Sequence, residues 1–191
     1  KLKFNRKIKL LNLSNLNNQM LNNKTINIVD IKYNQEKAFK KISKKSNLFI
    51  KNSFKTALDI IKKNNFNKFI NGPVSKKTFL DKKYLGITGY LSSKLLIKNT
   101  GMLIYNKDLS VCPITTHLPL KMVSKKIKDK TISDKISLIN DFYKKNFNKK
   151  PSIAVLGLNP HCESIHKYNE DDKIIKPCVR TLSKKYRVSG P

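Results

Sequence analysis

Two apolar runs constrain this chain more than any other feature. Ser110-Val111-Cys112-Pro113-Ile114-Thr115-Thr116-His117 and Ile153-Ala154-Val155-Leu156-Gly157-Leu158-Asn159-Pro160-His161 each read as a buried β-strand that delivers a histidine into the loop that follows. Ligands of open α/β sheets bind outside the carboxyl ends of the strands. Two histidines on that edge are candidates for a shared metal or substrate site, and the chain has only three in 191 residues.

The rest of the pattern alternates strand with helix. Thr25 to Ile31 is β-branched and alternating, a strand. Leu48 to Asn65 sets Ile50, Phe54, Ala57, Leu58 and Ile61 at helical spacing. Lys68 to Asn71 reads as a short strand stopped by Gly72-Pro73. Val74 to Lys83 and Tyr90 to Lys98 read as helices on either side of a loop from Leu85 to Gly89. Met102 to Tyr105 pairs with Leu109 to Thr115 about an Asn106-Lys107-Asp108 turn, and Pro113 calls for an edge or a bulge there. Pro119 stands where a helix can begin. Thr131 and Asp134 resemble a capping box ahead of an apolar face of Ile132, Ile136, Ile139 and Tyr143. Asn169-Glu170-Asp171-Asp172 starts another helix, its acids at the positive dipole end, and Pro177 must kink or divide it. Arg187 to Ser189 begins a last strand. This order predicts an α/β fold with parallel or mixed strands. Lys121 to Lys130 is the one hinge candidate by composition.

Charge bears on the partner. The formal net charge is +29, but all but three of the 41 basic residues are lysine, and they are scattered along the chain. The arginine fork that dominates base and phosphate recognition is nearly absent. Scatter argues for solvated lysine surfaces over a nucleic-acid footprint, although such a field still attracts an anionic substrate. A Lys-rich nucleic-acid-binding module, with steeply salt-dependent affinity, is the reading from another functional class. No stretch approaches the ~18 apolar residues of a membrane span. Three scattered cysteines, Cys112, Cys162 and Cys178, argue against a disulfide framework and for a reducing, cytoplasmic setting.

Four segments carry chemistry. Thr115-Thr116-His117-Leu118-Pro119-Leu120 offers a metal ligand or general base flanked by hydroxyls; the alternative is a histidine that caps or packs. Leu158-Asn159-Pro160-His161-Cys162-Glu163 repeats the arrangement with an adjacent carboxylate, and Glu163 otherwise is a solvated loop acid. Cys162 reads as a small, partly buried residue and His166 as a surface one. Asn71-Gly72-Pro73-Val74-Ser75-Lys76-Lys77 forms a tight turn whose amides and Lys76 can meet an anion. It is not a Walker A loop, and no Gly-x-Gly-x-x-Gly fingerprint is present. Gly86-Ile87-Thr88-Gly89 adds one hydroxyl on a loop.

In this order, the segments resemble the 4-hydroxythreonine-4-phosphate dehydrogenase family of pyridoxal phosphate biosynthesis. The matches are Asn71-Gly72-Pro73-Val74-Ser75-Lys76, Gly86-Ile87-Thr88-Gly89-Tyr90-Leu91, Thr115 to Leu120, Leu156 to His161, and Ser189-Gly190-Pro191. The resemblance covers nearly the whole chain. It implies a three-layer α/β/α, isocitrate/isopropylmalate dehydrogenase-like fold, present in part. Residues 1–191 would be the central part of a two-lobed enzyme, without the family's first glycine-containing segment or its later Tyr-His-Asp-Gln motif. It implies a homodimer with the active site at the interface and a divalent metal (Zn, Mg, Mn or Co) held by three histidines. His117 and His161 match two of these, and the third falls in the segment that is not here. Thr88 matches a position of the family's substrate-contacting loop, and a phosphate on the substrate would welcome Lys76. The family's His and acid on either side of Thr88 are replaced by Ile87 and Gly89, and Glu163 stands one position before the expected acid.

The implied reaction is NAD- or NADP-dependent oxidation and decarboxylation of 4-phosphohydroxy-L-threonine to 3-amino-2-oxopropyl phosphate, a small phosphorylated amino acid as substrate. The resemblance leaves the catalytic and cofactor-binding residues unassigned. The Ile87 departure is the support for a second reading, a related dehydrogenase of 4-phosphothreonate or 4-phosphoerythronate. With one metal ligand absent, the 191-residue chain is expected to bind metal weakly and to turn over no substrate.

Overall fold

The computed structural model describes residues 7–18, 21, 24–35, 37, 41–64, 66, 68–81 and 83–191. The chain divides into two compact units, Lys1–Gly86 and Ile87–Pro191.

In the first unit, β1 (Lys7–Leu10) and β2 (Thr25–Ile28) pair in parallel, with Lys7 opposite Thr25 and Leu10 opposite Ile28. The Thr-Ile-Asn-Ile run favours the pleat through its branched side chains. Between the strands lies a 3-10 segment, Leu13–Asn18, as a parallel pair requires some crossover. Helix α1 (Asn47–Lys63) buries Phe54 and Leu58, two of the residues whose spacing predicts it. The expected end at Asn65 lies outside the described residues. Phe54 stacks on Phe79 at 5.7 Å and meets Phe69 edge-on at 6.0 Å.

Two expectations fail in this unit. Lys68 to Asn71 is not a strand: among the described residues it has no ladder partner, and Ile70 is 96% exposed. The expected helix over Val74 to Lys83 reduces to one π-helical turn, Lys76–Leu80. The Ser75 hydroxyl accepts the Thr78 N–H at 3.3 Å, and Asp81 ends the turn in the left-handed region at φ 45°.

In the second unit, α2 (Ile87–Leu95) begins three residues earlier than its pattern suggests. Thr88 therefore sits in a helical first turn and not on a flexible loop. The predicted pairing about Asn106-Lys107-Asp108 forms, but as a single antiparallel bridge: Ile104 and Val111 exchange N–H···O bonds of 2.8 and 3.0 Å. The run up to Thr115 is otherwise not a strand, and Val111 is 53% exposed. Pro119 precedes only two 3-10 turns, Leu120–Met122 and Ser124–Lys126, which occupy the Lys121 to Lys130 segment up to the next helix.

Helix α3 (Asp129–Phe147) starts with Lys128 at its N-cap, so Thr131 lies inside the first turn and the expected capping box does not form. Asp134 instead pairs with Lys130 one turn back, at 3.0 Å. The predicted face holds, with Ile132 and Ile136 fully buried. Asn148 closes the helix at φ 51°, a left-handed cap whose N–H bonds back to Lys144 and Tyr143.

Strand β3 (Ile153–Ala154) follows. A π-helical turn, Asp171–Ile175, then runs into α4 (Lys176–Ser183), and Pro177 stands in the first turn of α4, where its missing N–H costs nothing. The proline divides the predicted helix as its chemistry requires. Strand β4 (Val188–Ser189) pairs in parallel with β3, and the Val155 N–H extends the ladder to the Ser189 carbonyl at 2.8 Å.

One core organises this unit: Ile127, Ile132, Ile136, Val155, Ile175, Cys178, Val179 and Val188. Short parallel strands joined through helices make this an α/β fold, as the alternating pattern predicts.

Candidate active site

Both histidine segments are anchored on that core. Ile114 and Leu158 pack against it, and each stands three residues ahead of its histidine. The first segment is also tied at its start, where the Tyr143 hydroxyl and Ser110 Oγ lie 2.9 Å apart. Beyond the anchors both chains turn outward: His117 and His161 are exposed, and both have φ 57°. A non-glycine residue in this region is uncommon, and it persists where the surroundings over-determine it. That two loop histidines share it is not readable from composition or period.

The second loop shows what enforces the conformation. Pro160–Cys162 is a 3-10 turn, with Cys162 N–H bonded to the Asn159 carbonyl at 3.0 Å, and Cys162 also has φ 57°. Beneath it lies Asp171, with no exposed surface at all. One carboxylate oxygen accepts the Leu158 N–H at 2.8 Å. The other accepts both the Asn159 N–H, at 2.9 Å, and the Asn159 side-chain amide, at 2.8 Å. The Asn159 amide also reaches Glu170 at 3.2 Å. Gly157 leaves the room: a Cβ there would stand 2.5 Å from Cys162 Sγ and 3.0 Å from an Asp171 oxygen.

Asp171 is the residue that the sequence pattern reads only as a helix-start acid. A signal was present, since Asp171, Ile175, Cys178 and Leu182 share one helical face and an acid on an apolar face needs a buried partner. The helix-start role belongs to Asn169, whose side-chain oxygen accepts the Asp172 N–H at 2.8 Å.

Burial, the largest single influence on the Asp171 carboxyl, pushes its pKa up. The amides of Leu158 and Asn159, the Asn159 side chain and the charge of Lys176 outweigh it, so the pKa lies below the ordinary value. A depressed carboxylate stabilises the fold above its unfolded pKa, ~4, and that contribution disappears as pH falls through the lower folded value. Urea unfolding between pH 5 and pH 2.5 is therefore expected to show stability falling in acid, with a shallower fall in Asp171→Asn.

The other candidates fall as follows. Thr88 is exposed in the first turn of α2. Lys76 is exposed and belongs to the first unit, at the start of its π-helical turn. Glu163 and His166 are exposed, and Cys162 is half-buried. Burial pushes the Cys178 thiol up to about 11, and burial likewise raises Cys112, which removes both as ready nucleophiles. Among the described residues no three His, Cys, Asp or Glu side chains gather as a metal cluster. No described helix is long and apolar enough to cross a membrane.

Each of the two loops offers an accessible imidazole, a ligand type that suits a divalent ion of borderline softness. Two protein ligands are fewer than such an ion usually takes.

Comparison with known proteins identifies the family. The family described as pyridoxal phosphate biosynthetic protein PdxA matches residues 2–191. The chain is 36% identical over 161 residues to 4-hydroxythreonine-4-phosphate dehydrogenase of Sulfurihydrogenibium sp., covering 82% of this chain and 49% of that protein. It is 33% identical over 133 residues to the Aquifex aeolicus protein of the same name, covering 66% of this chain and 41% of that one. It thus spans about half the length, or less, of these curated relatives. A crystal structure of the Klebsiella pneumoniae 4-hydroxythreonine-4-phosphate dehydrogenase superposes with a TM-score of 0.80 at 21% identity, over 97% of this chain and 58% of that one. The chain carries this fold and belongs to the family of the pyridoxal phosphate biosynthetic protein PdxA.

Proposed function

We propose that this protein acts in pyridoxal phosphate biosynthesis as a metal-assisted, NAD- or NADP-dependent dehydrogenase of 4-phosphohydroxy-L-threonine, with His117 and His161 as ligands of one divalent ion. The observation that carries the reading is the matched presentation of the two histidines: one core, the same three-residue offset, the same left-handed backbone. Names borne by the curated relatives support the substrate.

The roles of the chain's own residues follow from chemistry. His117 and His161 offer imidazole nitrogens from loops held at their bases, which lessens the ordering that ligation would require. Bound there, such an ion would supply Lewis-acid stabilisation of charge developing on a substrate oxygen. Thr88 presents a hydroxyl from a helix first turn, where it can donate to an anionic substrate group. Within the first unit, Lys76 presents a cation from a capped turn, a group that a substrate phosphate would welcome. The net charge of +29 raises the local concentration of a phosphorylated substrate. No nicotinamide contact is assigned to any described residue. A homodimer with the site at its interface and a cytoplasmic setting complete the proposal.

Calorimetric titration with 4-phosphohydroxy-L-threonine tests it. Binding is expected with Zn2+ or Co2+ present and is expected to vanish with chelator. Tighter metal-dependent binding of 4-phosphoerythronate would transfer the site to the other substrate, as the Ile87 departure allows. Binding indifferent to metal would contradict the reading.

A further inference from the structure

We propose that Asp171 is a positioning residue for the metal centre: its buried carboxylate, through Asn159, holds the turn that presents His161. This rests on the reading of His161 as a ligand. The carboxylate has no solvent contact, and the donors to it are Leu158 and Asn159, within three residues of His161. The three bonds span 12 or 13 residues of sequence, so they fasten the loop to the turn that leads into α4 and not to itself. His161 and Cys162 follow directly, both in the left-handed region. A backbone in that region returns to commoner conformations when its anchor is lost. The contact at Gly157 narrows the alternatives further, because Cys162 and Asp171 both crowd it. The carboxylate accepts these three bonds from the two residues that lead into the turn bearing His161.

The test uses the full chain, Co2+ as probe, and the variants Asp171→Asn and Asn159→Ala; the second removes only the side-chain donor and keeps the buried charge satisfied by backbone. Amide exchange at Leu158 and Asn159 is expected to quicken in both variants while that of Ile136 in α3 stays unchanged. Co2+ affinity is expected to fall about tenfold to a hundredfold in Asp171→Asn, the range for partners that orient a ligand, with a smaller fall in Asn159→Ala and a shifted Co2+ visible band in both. Leu58→Val in α1 of the first unit, outside the core that anchors the histidine segments, is expected to leave affinity and band unaltered. Wild-type Co2+ binding in Asp171→Asn, beside lost binding in His161→Ala, would overturn the positioning role and leave the metal reading standing. Exchange that rises equally at Ile136 and Leu158 would reduce Asp171 to general stability and overturn it too. Unchanged Co2+ affinity in His161→Ala would overturn the metal reading and this role with it.

Discussion

His117→Ala and His161→Ala are each expected to weaken Co2+ binding by about a hundredfold or more, because partners that merely orient a ligand already cost tenfold to a hundredfold. The double variant is expected to be hardly worse than either single one. Two groups that ligate one ion act as a unit: once one is gone, the remaining imidazole holds the ion so poorly that its removal changes little. Histidines that bound separate ions would behave differently, each substitution removing one ion per chain and the losses adding. Calorimetric stoichiometry and affinity for the four proteins separate these outcomes. Both side chains are exposed, so the substitutions are expected to leave thermal unfolding within about 0.5 kcal/mol of wild type.

The largest expected effect on the fold comes from Gly190→Ala. Gly190 has φ +105°, which side-chain-bearing residues rarely adopt, and a Cβ there would strike the Val155 backbone carbonyl. The backbone penalty is about 1–3 kcal/mol. Relief requires β4 to move from β3, which breaks the bond from the Val155 N–H to the Ser189 carbonyl and leaves a donor of a buried residue unpaired, a further ~1–3 kcal/mol. Chemical denaturation is expected to show a loss of about 2–6 kcal/mol from these two sources together. Gly72→Ala, where no atom lies within 4 Å of the new Cβ, is expected to change stability by less than about 0.5 kcal/mol. Because Val155 and Leu158 share the core with His161's loop, metal affinity is expected to fall with stability in Gly190→Ala.

The parts of this fold that the sequence made legible are those decided by local chemistry. The apolar spacing of α1 and α3 picks out the faces that bury Phe54, Leu58, Ile132 and Ile136. Pro177 marks the join between the π-helical turn and α4, and the branched residues of Thr25–Ile28 mark β2. What local chemistry could not decide was partnership. Lys68 to Asn71 and the run after Val111 have strand-like residues, but a strand exists only where a ladder partner comes alongside. Helix α2 takes in Ile87, Thr88 and Gly89, residues of low intrinsic helix preference.

The histidines were legible as loop residues after apolar runs, and the ordered motifs around them led to the family. Their left-handed backbone was not legible, since no glycine or asparagine stands at either position to announce it. Nor was the hold of Asp171 on a loop 12 residues upstream, although its place among Ile175, Cys178 and Leu182 pointed to a buried acid.

X-ray absorption of the Zn2+-loaded chain tests most directly whether His117 and His161 share one ion. The account predicts two imidazole nitrogens in the zinc shell, at about 2.0–2.1 Å. It predicts one imidazole in either single histidine variant. A shell without imidazole scattering, or one that neither substitution alters, would contradict it.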